Sequence, residues 1–113
     1  MNFSTPWLYL IVAGCFEVVW ALGLKYTDGF SKPIPSVVTI GAMIASVWLL
    51  AVALKTIPVG TGYAVWVGIG AVGAAIGGVM LFGESRSLPR IVCILLIVSG
   101  VVGLKLFSEP DVA

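Results

Sequence analysis

Trp7–Leu24 reads WLYLIVAGCFEVVWALGL, an eighteen-residue run with one charged residue, Glu17. A helix crossing a hydrocarbon layer of ~30 Å needs ~20 mostly apolar residues. Three more runs of that kind follow, at Ile34–Leu54, Val59–Phe82 and Leu88–Leu106. The whole chain has 113 residues, 60% hydrophobic and 10% charged, with a mean hydropathy of +1.17. Soluble domains are nearer half apolar and a quarter charged, so this is the composition of a membrane protein. Four spans take ~80 residues and leave roughly 30 for connections and tails. That remainder excludes a soluble domain, and the expected architecture is one four-helix transmembrane domain over residues 1–113.

Backbone in lipid must satisfy its own hydrogen bonds, which favours helices here. A barrel strand would alternate lipid-facing and lumen-facing residues, and these runs do not. The connections carry turn and helix-start signals: Asp28-Gly29 and Pro33 in the first, Pro58 closing the second, and Gly83–Arg90 as the third. Ten of the eleven charged residues fall in connections, tails or span ends, Glu109 and Asp111 among them. Only Glu17 is interior. The chain shows no internal duplication, so any symmetry has to come from a second copy.

Glu17 lies ten residues past Trp7 and eight before Lys25, or ~15 Å and ~12 Å along a helix. That is too deep for a short acidic side chain to reach either interface. A charge there costs at least ~2.5–3.5 kcal/mol and by default marks an ion or proton pathway. The competing reading is a permanently protonated glutamate that glues two helices together. Positions three and four away share its face, which groups Glu17 with Ala13, Gly14, Trp20 and Ala21. Gly14 would open space beside the carboxylate, and Trp20 would wall it. Ser46, past the middle of the second span, would either bond its own backbone one turn back or aim its hydroxyl at Glu17.

Seven of the fourteen glycines fall between Gly60 and Gly78. Tyr63, Trp66, Gly70, Gly73 and Gly77 recur every three or four residues and occupy an arc of roughly 80°. One stripe thus has an aromatic half and a smooth half. Gly68, Gly70, Gly73 and Gly77 allow close helix approach and bending. In the fourth span Cys93 and Gly100 stand seven apart on one face, the spacing of a helix–helix seam, here expected to join two copies. Cys15 and Cys93 read as small packing residues. With no histidine in the chain, neither a metal site nor a disulfide is expected. A net charge of +1 gives no reason to expect a nucleic-acid partner.

One buried carboxylate, aromatic faces and two hydroxyls, without a buried positive charge, suit a cation with a planar or apolar body. Aromatic faces attract a desolvated cation by ~2 kcal/mol or more, and a carboxylate can take two parallel N–H bonds from a guanidinium. The same carboxylate can take a proton instead. Mutual exclusion at a site that opens alternately to either side is antiport. Catalysis would need an interior nucleophile and base, and none is seen. A scaffold or a small channel subunit would explain the glycines but not the acid.

The segments AGCFEVVWALGLKYTDGF (Ala13–Phe30), PVGTGYAVWVGIGAVGAAIGG (Pro58–Gly78) and LFGES (Leu81–Ser85) resemble the small multidrug resistance family of bacterial transporters over nearly the whole chain. Trp20, Gly23-Leu24-Lys25 and Gly103-Leu104-Lys105 resemble its guanidinium-exporter branch. The quaternary-ammonium exporters carry Gly-Thr around the Trp20 position. The resemblance implies proton-coupled export across the bacterial inner membrane, with Glu17 as the shared site for proton and substrate. It also implies an antiparallel homodimer whose one pocket is lined by Trp20, Ser46, Tyr63 and Trp66, with no cofactor. Val67 and Gly62 depart from the family pattern, which commonly has a small hydroxyl residue and an alanine there.

Positive charge is spread almost evenly over the two faces. Lys55 and Lys105 share the side of the termini, and Lys25, Lys32, Arg86 and Arg90 lie opposite. A difference of two is a weak orienting signal. Reporters fused to the C-terminus should therefore register both sides of the membrane; a single orientation would overturn dual topology and point to a partner chain.

Overall fold

The computed structural model describes residues 4–107, so Glu109 and Asp111 lie outside the described residues. It has four helices: α1 (Thr5–Thr27), α2 (Pro33–Ala53), α3 (Val59–Phe82) and α4 (Leu88–Leu106). All four are long and apolar enough to cross a membrane. Pro6, Pro33 and Pro89 sit in the first turns of α1, α2 and α4, where a missing N–H costs nothing. Between α1 and α2, Asp28, Gly29 and Phe30 all take positive φ. The buried Thr27 hydroxyl steadies that turn, donating to the Leu24 carbonyl at 2.7 Å and accepting the Phe30 amide at 3.2 Å. Gly83, at φ 65°, ends α3, the left-handed position a glycine adopts without steric cost.

α1 is the hub, packing closely on α2 and α3, while α4 lies mainly against α3 and reaches α1 through Lys105, whose ammonium sits over the Trp7 ring. The face α2 turns inward carries Ser36, Thr39, Ala42, Ser46, Leu50 and Ala53. Small and hydroxyl-bearing side chains make that seam, as expected where lipid tails are as apolar as any leucine and close approach decides which helices meet. The buried cluster joins Trp7, Leu10 and Ala13 of α1, Leu50 and Ala53 of α2, Ile57 of the second connection, and Val65 and Trp66 of α3.

α3 meets its neighbours through glycines. A Cβ at Gly73 would run into Val18, one at Gly77 into Leu22, and one at Gly68 into Val101 of α4. The expected glycine face therefore exists, and it is divided: Gly70, Gly73 and Gly77 admit α1, and Gly68 admits α4. α4 has no buried residue, and Cys93 and Gly100 are exposed, with open space around a Cβ at Gly100. Cys15 and Cys93 are free and exposed; Cys15 lines an apolar cavity with Val18, Gly68 and Val98, and Cys93 lies on the open face of α4.

Val18 is β-branched and stiff, so it cannot yield to a new methyl group at position 73 as a flexible side chain would. Gly73→Ala should cost ~1–3 kcal/mol of stability by overpacking, read by SDS-induced unfolding in mixed micelles. Gly41→Ala, where a Cβ meets nothing within 4 Å, should leave stability equal or slightly raised.

Candidate functional site

Glu17 is carried on the face of α1 that looks at α3, two turns before Lys25 and with no charged side chain preceding it. Its carboxyl group lies directly on Gly70 of α3, where a Cβ would coincide with the Glu17 side chain. Only a glycine leaves room there. Glu17 Oε1 is buried and has no hydrogen-bond partner among the described residues, and the same holds for the indole nitrogen of Trp20 one turn along. An unpaired buried acceptor costs about 1–3 kcal/mol, more when charged. α1 thus presents an acceptor and a donor, three residues apart, that nothing in the protomer satisfies. Trp20 itself is half-buried and packs on the edge of the central cluster.

One turn before Glu17 a hydrogen-bond chain ties three helices together. Trp66 of α3 donates its indole N–H to Ser46 Oγ of α2 at 3.0 Å, and Ser46 donates to the Ala13 carbonyl of α1 at 2.7 Å. Ser46 is fully buried. Neither sequence-based expectation for Ser46 holds: it bonds neither its own helix nor Glu17. The reason is geometric. α1 and α2 approach closely enough at Ala13 for the serine to take up a spare lone pair of a carbonyl already used within its helix. Gly14 is corrected as well, because the room it leaves is filled by Ile69 of α3, whose Cγ2 lies 2.7 Å from where a Cβ would stand.

Trp66 is 8% exposed while Tyr63 is 55% exposed. Their rings meet at 5.6 Å and 47°, so Tyr63 rests on a tryptophan that the serine holds in place, and it faces out of the protomer. Within one copy, Glu17, Trp20, Ser46 and Trp66 gather about the α1–α2–α3 junction. Tyr63 does not close over them. Val67 faces outward at the edge of α3, and the space at Gly62 is taken up by Leu54.

The family profile for "Small Multidrug Resistance protein" matches residues 5–97, which span all of α1, α2 and α3 and half of α4. The chain belongs to this family. Among its curated relatives are a guanidinium exporter of Yersinia pestis, 59% identical over 102 residues, covering 90% of this chain and 98% of the relative. A guanidinium exporter of Citrobacter freundii is 59% identical over 103 residues, 91% of this chain and 98% of the relative. That of Salmonella typhimurium strain LT2 is 60% identical over the same lengths. The match includes the spans that carry Glu17, Gly70, Ser46 and Trp66, and it places the chain among multi-pass membrane proteins.

Sequence reasoning missed two parts of the site. The seating of Glu17 on Gly70 carries no local signal, since any glycine of α3 could have met α1. The hydroxyl stripe Ser36, Thr39 and Ser46 was legible as a period of three and seven on an apolar helix, the pattern of an inward face in lipid.

Ser46→Ala removes the acceptor for Trp66 and leaves that buried N–H unpaired. Unfolding in SDS should show a loss of about 1–3 kcal/mol. Ser99→Ala, which removes an exposed hydroxyl bonded to Leu95 of its own helix at 2.8 Å, should be silent.

Proposed function

We propose that this chain exports guanidinium across the bacterial cytoplasmic membrane in exchange for protons, acting as an antiparallel homodimer. The observation that carries the reading is the Glu17 carboxyl group, buried on Gly70 with an oxygen that no residue satisfies. Among the described residues the ion pair is that of Arg90 with Glu84, at the end of the bundle, so no internal cation serves Glu17. Hydrocarbon does not tolerate an uncompensated carboxylate. The group is compensated by a proton or by a cation from outside, one at a time, and that exclusivity couples their movements in opposite directions.

Three features favour a guanidinium over a tetrahedral ammonium. It is flat, so the faces of Trp20, Trp66 and Tyr63 can stack on it. It carries parallel N–H donors for the two carboxylate oxygens. The relatives that align over nine-tenths of the chain are named for guanidinium export. A quaternary ammonium would pair with the same carboxylate by charge alone, without the two parallel hydrogen bonds that a guanidinium donates.

The second copy is supported by what one copy lacks. α4 has no buried residue and packs mainly on α3, and its Cys93–Gly100 face is open for a seam. Tyr63 faces outward, where an antiparallel partner would bring it over the partner's site. With Lys and Arg nearly balanced between the faces, both orientations can arise from one chain. Two Glu17 side chains flanking one pocket would titrate as a pair.

Because the cation needs an ionised carboxylate and protonation removes it, guanidinium affinity falls as pH falls. Binding to the purified protein, followed from about pH 9 to about pH 5, should weaken steadily, far from the range in which guanidinium itself titrates. Glu17→Gln should abolish both binding and exchange while the protein remains folded, since the amide keeps the shape. Affinity that is flat with pH, or a Gln variant that still exchanges guanidinium for protons, would make Glu17 a structural residue.

A further inference from the structure

Where α3 hands over to α4, an apolar groove meets a positively charged mouth. A cavity of about 290 Å³ lies between the two helices, walled by Ile76, Val79 and Met80 of α3 and by Ile91, Ile94 and Leu95 of α4. Ile76, Met80 and Leu95 are well exposed, so the groove opens along the spans and not only at their end. Its loop end is formed by Ser85, Arg86 and Arg90. The Ala75 carbonyl is already bonded to Arg90 at 3.3 Å, and the walls otherwise present hydrocarbon side chains.

The two arginines at the mouth are not equivalent. Arg90 is engaged, donating to Glu84 Oε1 at 2.8 Å and to the Ser85 carbonyl at 3.0 Å as well as to Ala75. Glu84, the acid of this loop, lies back on Gly78 and is committed to that pair. Arg86 is exposed and takes no ion pair or hydrogen bond among the described residues. The same membrane face carries Lys25, Lys32, Arg86 and Arg90 against Asp28 and Glu84, a surplus of two positive charges. The occupant that suits such a groove joins a hydrocarbon body to a negative head. A second copy of the chain does not fill it by way of the open α4 face. At ~100° per residue, Ile91, Ile94 and Leu95 centre on the side of α4 opposite Cys93 and Gly100, so a partner seated there leaves the groove uncovered.

We propose that the α3–α4 groove binds one anionic phospholipid per protomer, with an acyl chain along Ile76, Val79 and Leu95 and the phosphate on Arg86. A guanidinium fork takes two phosphate oxygens at once, and a basic residue beside an anionic membrane surface adds roughly fivefold to binding. The Arg90–Glu84 pair contributes by position, fixing the loop from which Arg86 reaches out. Glu17, Trp20, Ser46 and Trp66 do not line the groove, so the site stands whether or not the chain carries guanidinium.

The test uses the full chain, purified in detergent and titrated with phosphatidylglycerol or with phosphatidylcholine of the same acyl chains, bound lipid being counted by native mass spectrometry. Phosphatidylglycerol should bind more tightly by roughly fivefold, and Arg86→Gln should remove most of that preference. Arg86→Lys, which keeps the charge and loses the fork, should fall between. Lys32→Gln removes a charge of the same face beyond the groove and should leave affinity within about twofold. Arg86 is exposed and bonds to no described residue, so its variants keep the fold. A phosphatidylglycerol with a diazirine midway along one acyl chain should crosslink mainly at Ile76, Val79, Ile94 and Leu95, with the Cys93–Gly100 face little labelled. Equal binding of the two lipids, or equal loss in Arg86→Gln and Lys32→Gln, overturns the site in favour of diffuse surface charge. Crosslinks spread evenly over all four helices overturn it as well. Displacement of the lipid by glycerol phosphate at similar concentration would leave a simple anion site, and groove labelling confined to the monomer would give the groove to a second copy; either result refutes the proposal.

Discussion

Hydrocarbon offers this chain neither a hydrogen-bond partner nor any hydrophobic reward for bringing one apolar helix against another. Helices in such a medium associate where they can come close and where polar groups find each other. That constraint accounts for the unusual composition of the interior. α1 meets α2 through Ser36, Thr39, Ala42 and Ser46, and it meets α3 over Gly70, Gly73 and Gly77. Leucine, isoleucine and valine, which would fill the core of a soluble domain, lie mostly outside: Leu8, Ile34, Val37, Ile44 and Leu96 are all well exposed.

The same constraint sorts the polar groups by depth. Deep in the bundle, a chain from Trp66 through Ser46 to Ala13 uses every donor it contains. At the two ends, charges rest on aromatic rings or on each other: Lys105 over Trp7 at one, Lys25 over Phe82 and Arg90 on Glu84 at the other. Glu17 belongs to neither class. It is half-buried where Ser46 is fully buried, its Oε1 lacks the partner that Ser46 has, and its setting on a bare glycine keeps the place beside it free of a competing side chain.

Function and packing are therefore not separate layers in this protein. The glycine that lets α1 approach α3 is the glycine that receives the carboxyl group. The serine that locks α1 to α2 orients the tryptophan under Tyr63. α4 touches this core through Val101 and Lys105 and buries no residue of its own, which leaves most of its surface open.

Much of the fold, and the depth of Glu17, was legible in the sequence. The number of spans and their ends followed from the length of the apolar runs and from where ten charges and several prolines interrupt them, because the bilayer thickness fixes what a span must be. The depth of Glu17 followed from the rise of a helix, and the smooth face of α3 from its glycine period. The sequence could not say which glycine faces which neighbour. A helix that is apolar on all sides has no amphipathic stripe to announce its inner face, so rotation about its axis is settled only by contacts between residues distant in the chain. That is why Ser46 turned to Ala13, thirty-three positions away, why Ile69 rather than a ligand fills the space at Gly14, and why Arg90 of α4 reaches the Ala75 carbonyl of α3.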